Sequence, residues 1–154
     1  MTVIAEQTTP YWYAGHLFEY VLSAEDTGGS LALMRVTGRP GFDPPAHVHA
    51  HEDEVFHILE GRASFLVGER VVSAGPGDTV WLPRGVPHAP RFESEIVRCL
   101  LMVTPGAGAA FFREFSVPAD GHVLPPLGRH LPDFEAMGRR MAELGIEIVG
   151  PPLA

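Results

Sequence analysis

Lysine and asparagine are both absent from this chain, and all 11 of its basic residues are arginine. Without lysine there is no Schiff-base nucleophile and no Walker-type phosphate loop. Without asparagine there is no N-glycosylation acceptor. The single cysteine, Cys99, excludes an intramolecular disulfide and a cysteine-built zinc site. In the run IVRCLLMV it reads as a buried structural thiol, and a reducing, cytoplasmic compartment is expected. Positive charge is also scarce. The net charge is −8 with no basic run, so no nucleic-acid partner is expected. Long apolar runs are missing too: the clearest is Cys99–Val103, far short of the roughly 18 residues of a membrane-spanning helix. The opening MTVIAEQTTP carries an acid and no base, so neither an export leader nor a membrane partner is expected.

What is abundant is turn punctuation. The 154 residues include 17 glycines and 15 prolines, recurring at short intervals between segments rich in β-branched and aromatic residues. These segments are YWYAGHLFEYVLS, SLALMRVT, EVFHILEG, RASFLVGE, RVVSA, DTVWLP and EIVRCLLMVT. Many short strands with closely spaced turns predict an all-β sandwich or barrel, with a hairpin turn at VGER. The tail differs. FEAMGRRMAELG sets Phe134, Met137, Met141 and Leu144 at helical spacing, with Pro132 at the start and Gly145 at the stop. A shorter helix is expected over Ala107–Phe115. The length fits one domain, residues 1–154, with a barrel core over about residues 10–104 and a helical appendage over about 105–154.

The chemistry-bearing residues are clustered. Of 8 histidines, His47, His49, His51 and His57 crowd one short stretch together with Glu52, Asp53 and Glu54. Residues two apart in a strand face the same side, so His47 and His49 project together. Glu54 opens the next strand and returns a carboxylate toward the same point. Two imidazoles and a carboxylate on a β scaffold suit Fe, Mn, Co, Ni or Zn. His88 is a fourth candidate, its approach set by the turn between Pro83 and Pro87. A lone strand histidine is ordinarily a surface or satisfied residue, so the argument rests on the set rather than on any one member.

Two segments then carry a family resemblance. Gly41-FDPPA-His47-V-His49-AHED-Glu54-VFHILE-Gly61 resembles the first motif of the cupin superfamily, and Gly77-DTVWL-Pro83-R-Gly85-VP-His88 resembles the second. Phe92 stands where the family usually has asparagine, a position that is not a metal ligand, and makes that side more apolar. The resemblance implies a double-stranded β-helix (jelly-roll) barrel with one divalent transition metal inside, held by His47, His49, Glu54 and His88. His51 is then a loop residue beside the ligands or exposed, and His57, of opposite parity to Glu54, points out of the barrel. His16, His122 and His130 have no supporting neighbours in sequence and are assigned no role.

Phe56 and Ile58 share the face of Glu54, and with Trp81 and Phe92 are expected to line an apolar substrate pocket. Phe42, Phe65, Met34 and Met102 are further candidates, and the Phe111/Phe112/Phe115 helix caps the opening. Arg84 is the one cation near enough to meet an anion. The whole-chain layout resembles the quercetin 2,3-dioxygenase-like cupins. That resemblance implies a dioxygenase taking a small hydrophobic or aromatic enol or phenol and O2, with Glu54, its pKa raised by burial, as the catalytic base. Two alternatives stay open. One is a non-oxidative metal-dependent cupin (isomerase, cyclase or hydrolase) acting on a small carbonyl or polyketide-like compound. The other is a non-enzymatic ligand-binding or sensing cupin. The aromatic N-terminal segment, read as one long strand, is expected to cross to a second copy in a homodimer.

Overall fold

The computed structural model describes residues 8–154; the reading of the first residues as leaderless falls mostly outside them. Among the described residues, twelve strands form two antiparallel sheets. In chain order they are β1 (Pro10–Tyr13), β2 (His16–Leu22), β3 (Ala32–Gly38), β4 (His47–His49), β5 (Asp53–Glu60) and β6 (Ala63–Val67). There follow β7 (Arg70–Ala74), β8 (Thr79–Leu82), β9 (His88–Phe92), β10 (Val97–Thr104), β11 (Val117–Pro118) and β12 (Ile146–Ile148). One sheet runs β11-β1-β2-β3-β10-β5-β8 and the other β12-β4-β9-β6-β7. This is the expected jelly roll.

The two inner faces share one core. Along β10, Val97, Cys99, Leu101 and Val103 are buried while the residues between them are not, the period-2 pattern of a strand with one face inward. Glu54, Phe56 and Ile58 alternate in the same way along β5. The register pairs Leu101 with Phe56 and Val103 with Glu54, so the carboxylate stands at the end of an otherwise apolar stack. The motif's closing Gly61 has φ of 81°, and a Cβ there would lie 2.4 Å from the Ile96 carbonyl oxygen. Only glycine fits that turn.

The N-terminal segment is not one long strand. It folds back at Ala14–Gly15, with φ of 46° and 86°, into a hairpin pairing Tyr13 with His16 and Pro10 with Glu19. The Phe42 ring occupies the space a side chain at Gly15 would need. The outer edge of β1 is covered by β11, so this segment does not present the long free strand that the expectation of a crossing required.

The tail is helical as expected, but it also returns to the barrel. A one-turn 3-10 helix (Gly106–Ala109) leads into α1 (Ala110–Glu114), and α2 spans Phe134–Glu143. Asp133, rather than Pro132, caps α2: its Oδ1 accepts from the backbone N–H groups of Glu135 and Ala136 at 3.0 Å. After Gly145, β12 pairs with β4. The connecting loop is pinned to β1 and β2, where Trp12 Nε1 donates to the Val123 carbonyl at 2.7 Å and stacks on His130. His122 Nδ1 lies 2.6 Å from the buried Glu19 carboxylate, so these two histidines have structural partners. Among the described residues no helix is long and apolar enough to cross a membrane.

Candidate metal centre

The centre forms where the two sheets face each other. His47 and His49 lie on β4, His88 lies beside them on β9 directly opposite His47, and Glu54 reaches across from β5. All four are buried, and one ligand atom from each lies within 4.8 Å of the other three. His88 Nε2 is 3.4 Å from Glu54 Oε2, and His49 Nε2 is 3.8 Å from Glu54 Oε1. The rings of His49 and His88 are stacked at 5.3 Å, and those of His47 and His88 meet edge to face at 4.5 Å.

Each imidazole is oriented from behind. His47 Nδ1 donates to the Pro45 carbonyl at 2.7 Å, and His88 Nδ1 to the Val86 carbonyl at 3.2 Å. His49 Nδ1 faces the Glu52 carboxylate at 3.3 Å. A carbonyl or carboxylate can only accept, so Nδ1 carries the proton and each Nε2 turns a lone pair inward. The Nε2 atoms of His49 and His88 are buried and find no hydrogen-bond partner among the described residues. Orphaned buried nitrogens of this kind are costly in a dry interior. A cation between them and Glu54 accounts for both. Three neutral imidazoles and a carboxylate suit a divalent transition metal, so the residues present fit the group the resemblance implies.

The electrostatics differ from expectation at Glu54. Burial pushes its carboxyl up, but the imidazoles beside it, His88 first and then His49 and His47, outweigh burial and hold it down at about 2. The pKa is therefore lowered, not raised, and the carboxylate is ionised whenever the protein is folded at ordinary pH. His47 is lowered to about 4, chiefly by burial, against the pull of Glu54. Its lone pair is free at neutral pH.

A cavity of about 520 Å³ opens from this set. Phe56, Phe92 and Phe42 line it, and α1 contributes Phe111 and Phe112. Two expected pocket residues are elsewhere. Trp81 is 61% exposed on the outer face of β8, because the register places Leu82 opposite Glu54 and Trp81 opposite Val55. Ile58 does point inward, but it is sealed in the packed core below the cavity. Phe65 and Met34 belong to that core too, and neither Met102 nor Phe115 reaches the cavity lining. Arg84 pairs with Asp53 on the outside at 3.0 Å, and no arginine lines the cavity. His51 is exposed, and His57 faces outward with Nδ1 2.8 Å from Thr79 Oγ1.

Sequence reasoning passed over several lining groups. Tyr13 and His16, paired across the β1–β2 hairpin, both face the cavity. The Tyr13 ring is held edge-on by Phe18, Phe111 and Phe112. Burial first, and then the charge of Glu54, push its phenol well above the ordinary range, so it remains a neutral donor. His16 Nε2 lies 3.2 Å from the Phe42 carbonyl, and burial lowers its pKa to about 4. The far wall comes from the tail: Phe134, Met137 and Met141 of α2, and Ile146 and Ile148 of β12. Helical spacing marked the three α2 residues as a face; nothing local said what that face covers.

Residues 34–104 match the cupin domain family. Among characterised proteins, the chain is 27% identical over 109 residues to quercetin 2,3-dioxygenase of Bacillus subtilis. That match covers 71% of this chain but only 32% of the relative, so the chain spans about a third of that protein's length. Among solved structures, it is similar to a predicted oxalate decarboxylase from Thermotoga maritima. The TM-score is 0.59 at 21% identity, covering 68% of this chain and 98% of that one. It is also similar to the polyketide cyclase RemF from Streptomyces resistomycificus, with a TM-score of 0.55 at 20% identity, covering 68% and 79%. At these identities the structural matches speak for the fold alone.

Proposed function

We propose that this protein is a metal-dependent dioxygenase that cleaves a planar, largely apolar enol or phenol of flavonol-like character. The observation that carries the reading is the setting of the three-histidine, one-glutamate cluster. It opens into a cavity walled by phenylalanine and methionine, with no arginine in its lining. Such a cavity favours a flat neutral ring system over a phosphorylated or multiply charged one. A divalent metal held by His47, His49, Glu54 and His88 supplies Lewis acidity toward an enolate oxygen and, where redox-active, a route for O2 chemistry.

The chain's own groups do the rest. Phe56, Phe92, Phe111 and Phe112 sandwich the ring and exclude water. The ionised Glu54 accepts a hydroxyl proton from an acidic enol at a carboxylate oxygen. The neutral Tyr13 hydroxyl donates to a substrate oxygen and steadies charge developing on it. The same pair, an ionised carboxylate and a neutral phenol on one cavity, also equips the site for proton transfer on an enolisable carbonyl compound without O2. That is the second reading.

Oxygen uptake separates the two. Protein loaded with Fe(II), Mn(II), Co(II) or Ni(II) is tested against a panel of flavonols and smaller enols, with His49→Ala and Glu54→Gln as comparisons. Metal-dependent uptake with a ring-opened product is the expected result, lost in His49→Ala and strongly reduced in Glu54→Gln even where that variant retains metal. Turnover of an enolisable substrate with no oxygen consumed, by every metal form, overturns the dioxygenase in favour of the second reading.

A further inference from the structure

Two of the three candidate ligand histidines are oriented by their own backbone. His47 and His88 each donate from Nδ1 to a carbonyl two residues earlier in the chain, at Pro45 and Val86. His49 is held differently. Its Nδ1 faces Oε2 of Glu52, a side chain from the β4–β5 loop that is only 13% exposed. A carboxylate behind an imidazole fixes the ring and raises the donor strength of the opposite nitrogen. Among the described residues, His49 alone of the three has such a partner.

A second, independent feature meets Glu52 from its other side. The one-turn helix at Gly106–Ala109 brings Gly108 against it so closely that a Cβ there would lie 2.5 Å from Glu52 Cγ, 2.8 Å from Cδ and 2.9 Å from Oε1. Real side chains do not tolerate that approach, so a glycine at 108 is what lets the carboxylate stand behind His49. Gly108 itself lines the cavity, and the next turn carries Phe111 and Phe112. The carboxylate therefore lies between a ligand and the segment that forms the aromatic wall.

We propose that Glu52 is a positioning residue for the metal centre, orienting His49 through Nδ1 and coupling it to the aromatic cap by its contact with Gly108. The inference rests on the metal centre and is independent of which substrate is turned over.

Metal binding tests it directly. Metal-free protein is titrated with Co(II) against a competing chelator, and the visible spectrum of the Co(II) form is recorded. The variants are Glu52→Ala, Glu52→Gln, Gly108→Ala and, at an exposed turn, Glu69→Ala. Glu52→Ala is expected to weaken Co(II) binding by roughly 10- to 100-fold and to alter the Co(II) bands. Glu52→Gln, which keeps an oxygen to accept from Nδ1, is expected to recover most of the wild-type spectrum with intermediate affinity. Gly108→Ala should move in the direction of Glu52→Ala, and Glu69→Ala should match wild type. If Gly108→Ala does not fold, the comparison of the two Glu52 variants decides.

Wild-type affinity and spectrum in Glu52→Ala would overturn the proposal, as would equal losses in Glu52→Ala and Glu52→Gln. Wild-type protein that takes up no Co(II) would overturn the metal centre and this inference together. Co(II) affinities that follow the expected order while no oxygen is consumed would tell against the dioxygenase and uphold the role of Glu52.

Discussion

Ile146 and His49 lie directly opposite each other in the antiparallel ladder between β12 and β4, so the last strand braces the strand that carries two candidate ligands. The bracing continues on both sides. The backbone N–H of Ala50 donates to the Gly145 carbonyl at 2.9 Å, and that of Ala46 to the Pro151 carbonyl at 3.1 Å. A segment outside the matched domain thus holds the edge of the site inside it.

Removing residues 145–154 should therefore do more than shorten the chain. It strips a row of main-chain hydrogen bonds from β4 and removes the buried Ile146 together with the apolar burial it provides. We expect a loss of about 2–3 kcal/mol, read as a fall in melting temperature of roughly 5–10 °C, together with weaker Co(II) binding. Co(II) affinity unchanged in the truncated protein would show that β4 holds its ligands unaided.

Tyr13→Phe removes the hydroxyl of a residue that lines the cavity and leaves the ring among Phe18, Phe111 and Phe112. A hydrogen bond to a charged oxygen contributes about 1.5–3 kcal/mol, so kcat should fall by roughly 10- to 100-fold with KM little changed. A fall in substrate affinity with kcat preserved would place the hydroxyl in ground-state binding instead.

The buried His16 makes the metal-free protein acid-sensitive. Its folded pKa is about 4 against an ordinary value of 6.5, because burial disfavours the charged ring. Above the ordinary value both states are neutral and pH has no effect through this group. Between 6.5 and about 4 the unfolded chain binds a proton that the folded one refuses, so stability falls as pH falls. The loss reaches about 2 kcal/mol by pH 5. Urea midpoints at pH 7.5 and 5 should show a shallower pH slope in His16→Phe than in wild type, with the residual slope due in part to His47, also lowered to about 4. Identical slopes would remove His16 as a contributor.

Cys99 is fully buried on β10, and burial pushes its thiol up to about 12. A thiol-specific reagent should leave the folded protein unmodified at pH 8 and label one site in urea. Rapid labelling of the native protein would mean that β10 opens readily.

The parts of this molecule legible in sequence are those in which local pattern and local geometry are the same thing. Strand parity alone sets His47 beside His49 and puts Glu54, Phe56 and Ile58 on one face, because successive side chains must alternate. The α2 helix was legible because Phe134, Met137 and Met141 repeat at its pitch. Parity failed in β8, where Val80, Trp81 and Leu82 are consecutive apolar residues; their pattern cannot say which face is inner, and only pairing with β5 turned Trp81 outward. Within YWYAGHLFEYVLS nothing but the backbone conformation at Ala14–Gly15 distinguishes a hairpin from a continuous strand. The remaining contacts at the site join residues far apart in the chain: β12 against β4, the Glu54 charge acting on Tyr13, and Gly108 on Glu52. Such contacts leave no periodic trace, because they exist only once two closed sheets and a returning tail have brought distant backbone into van der Waals range.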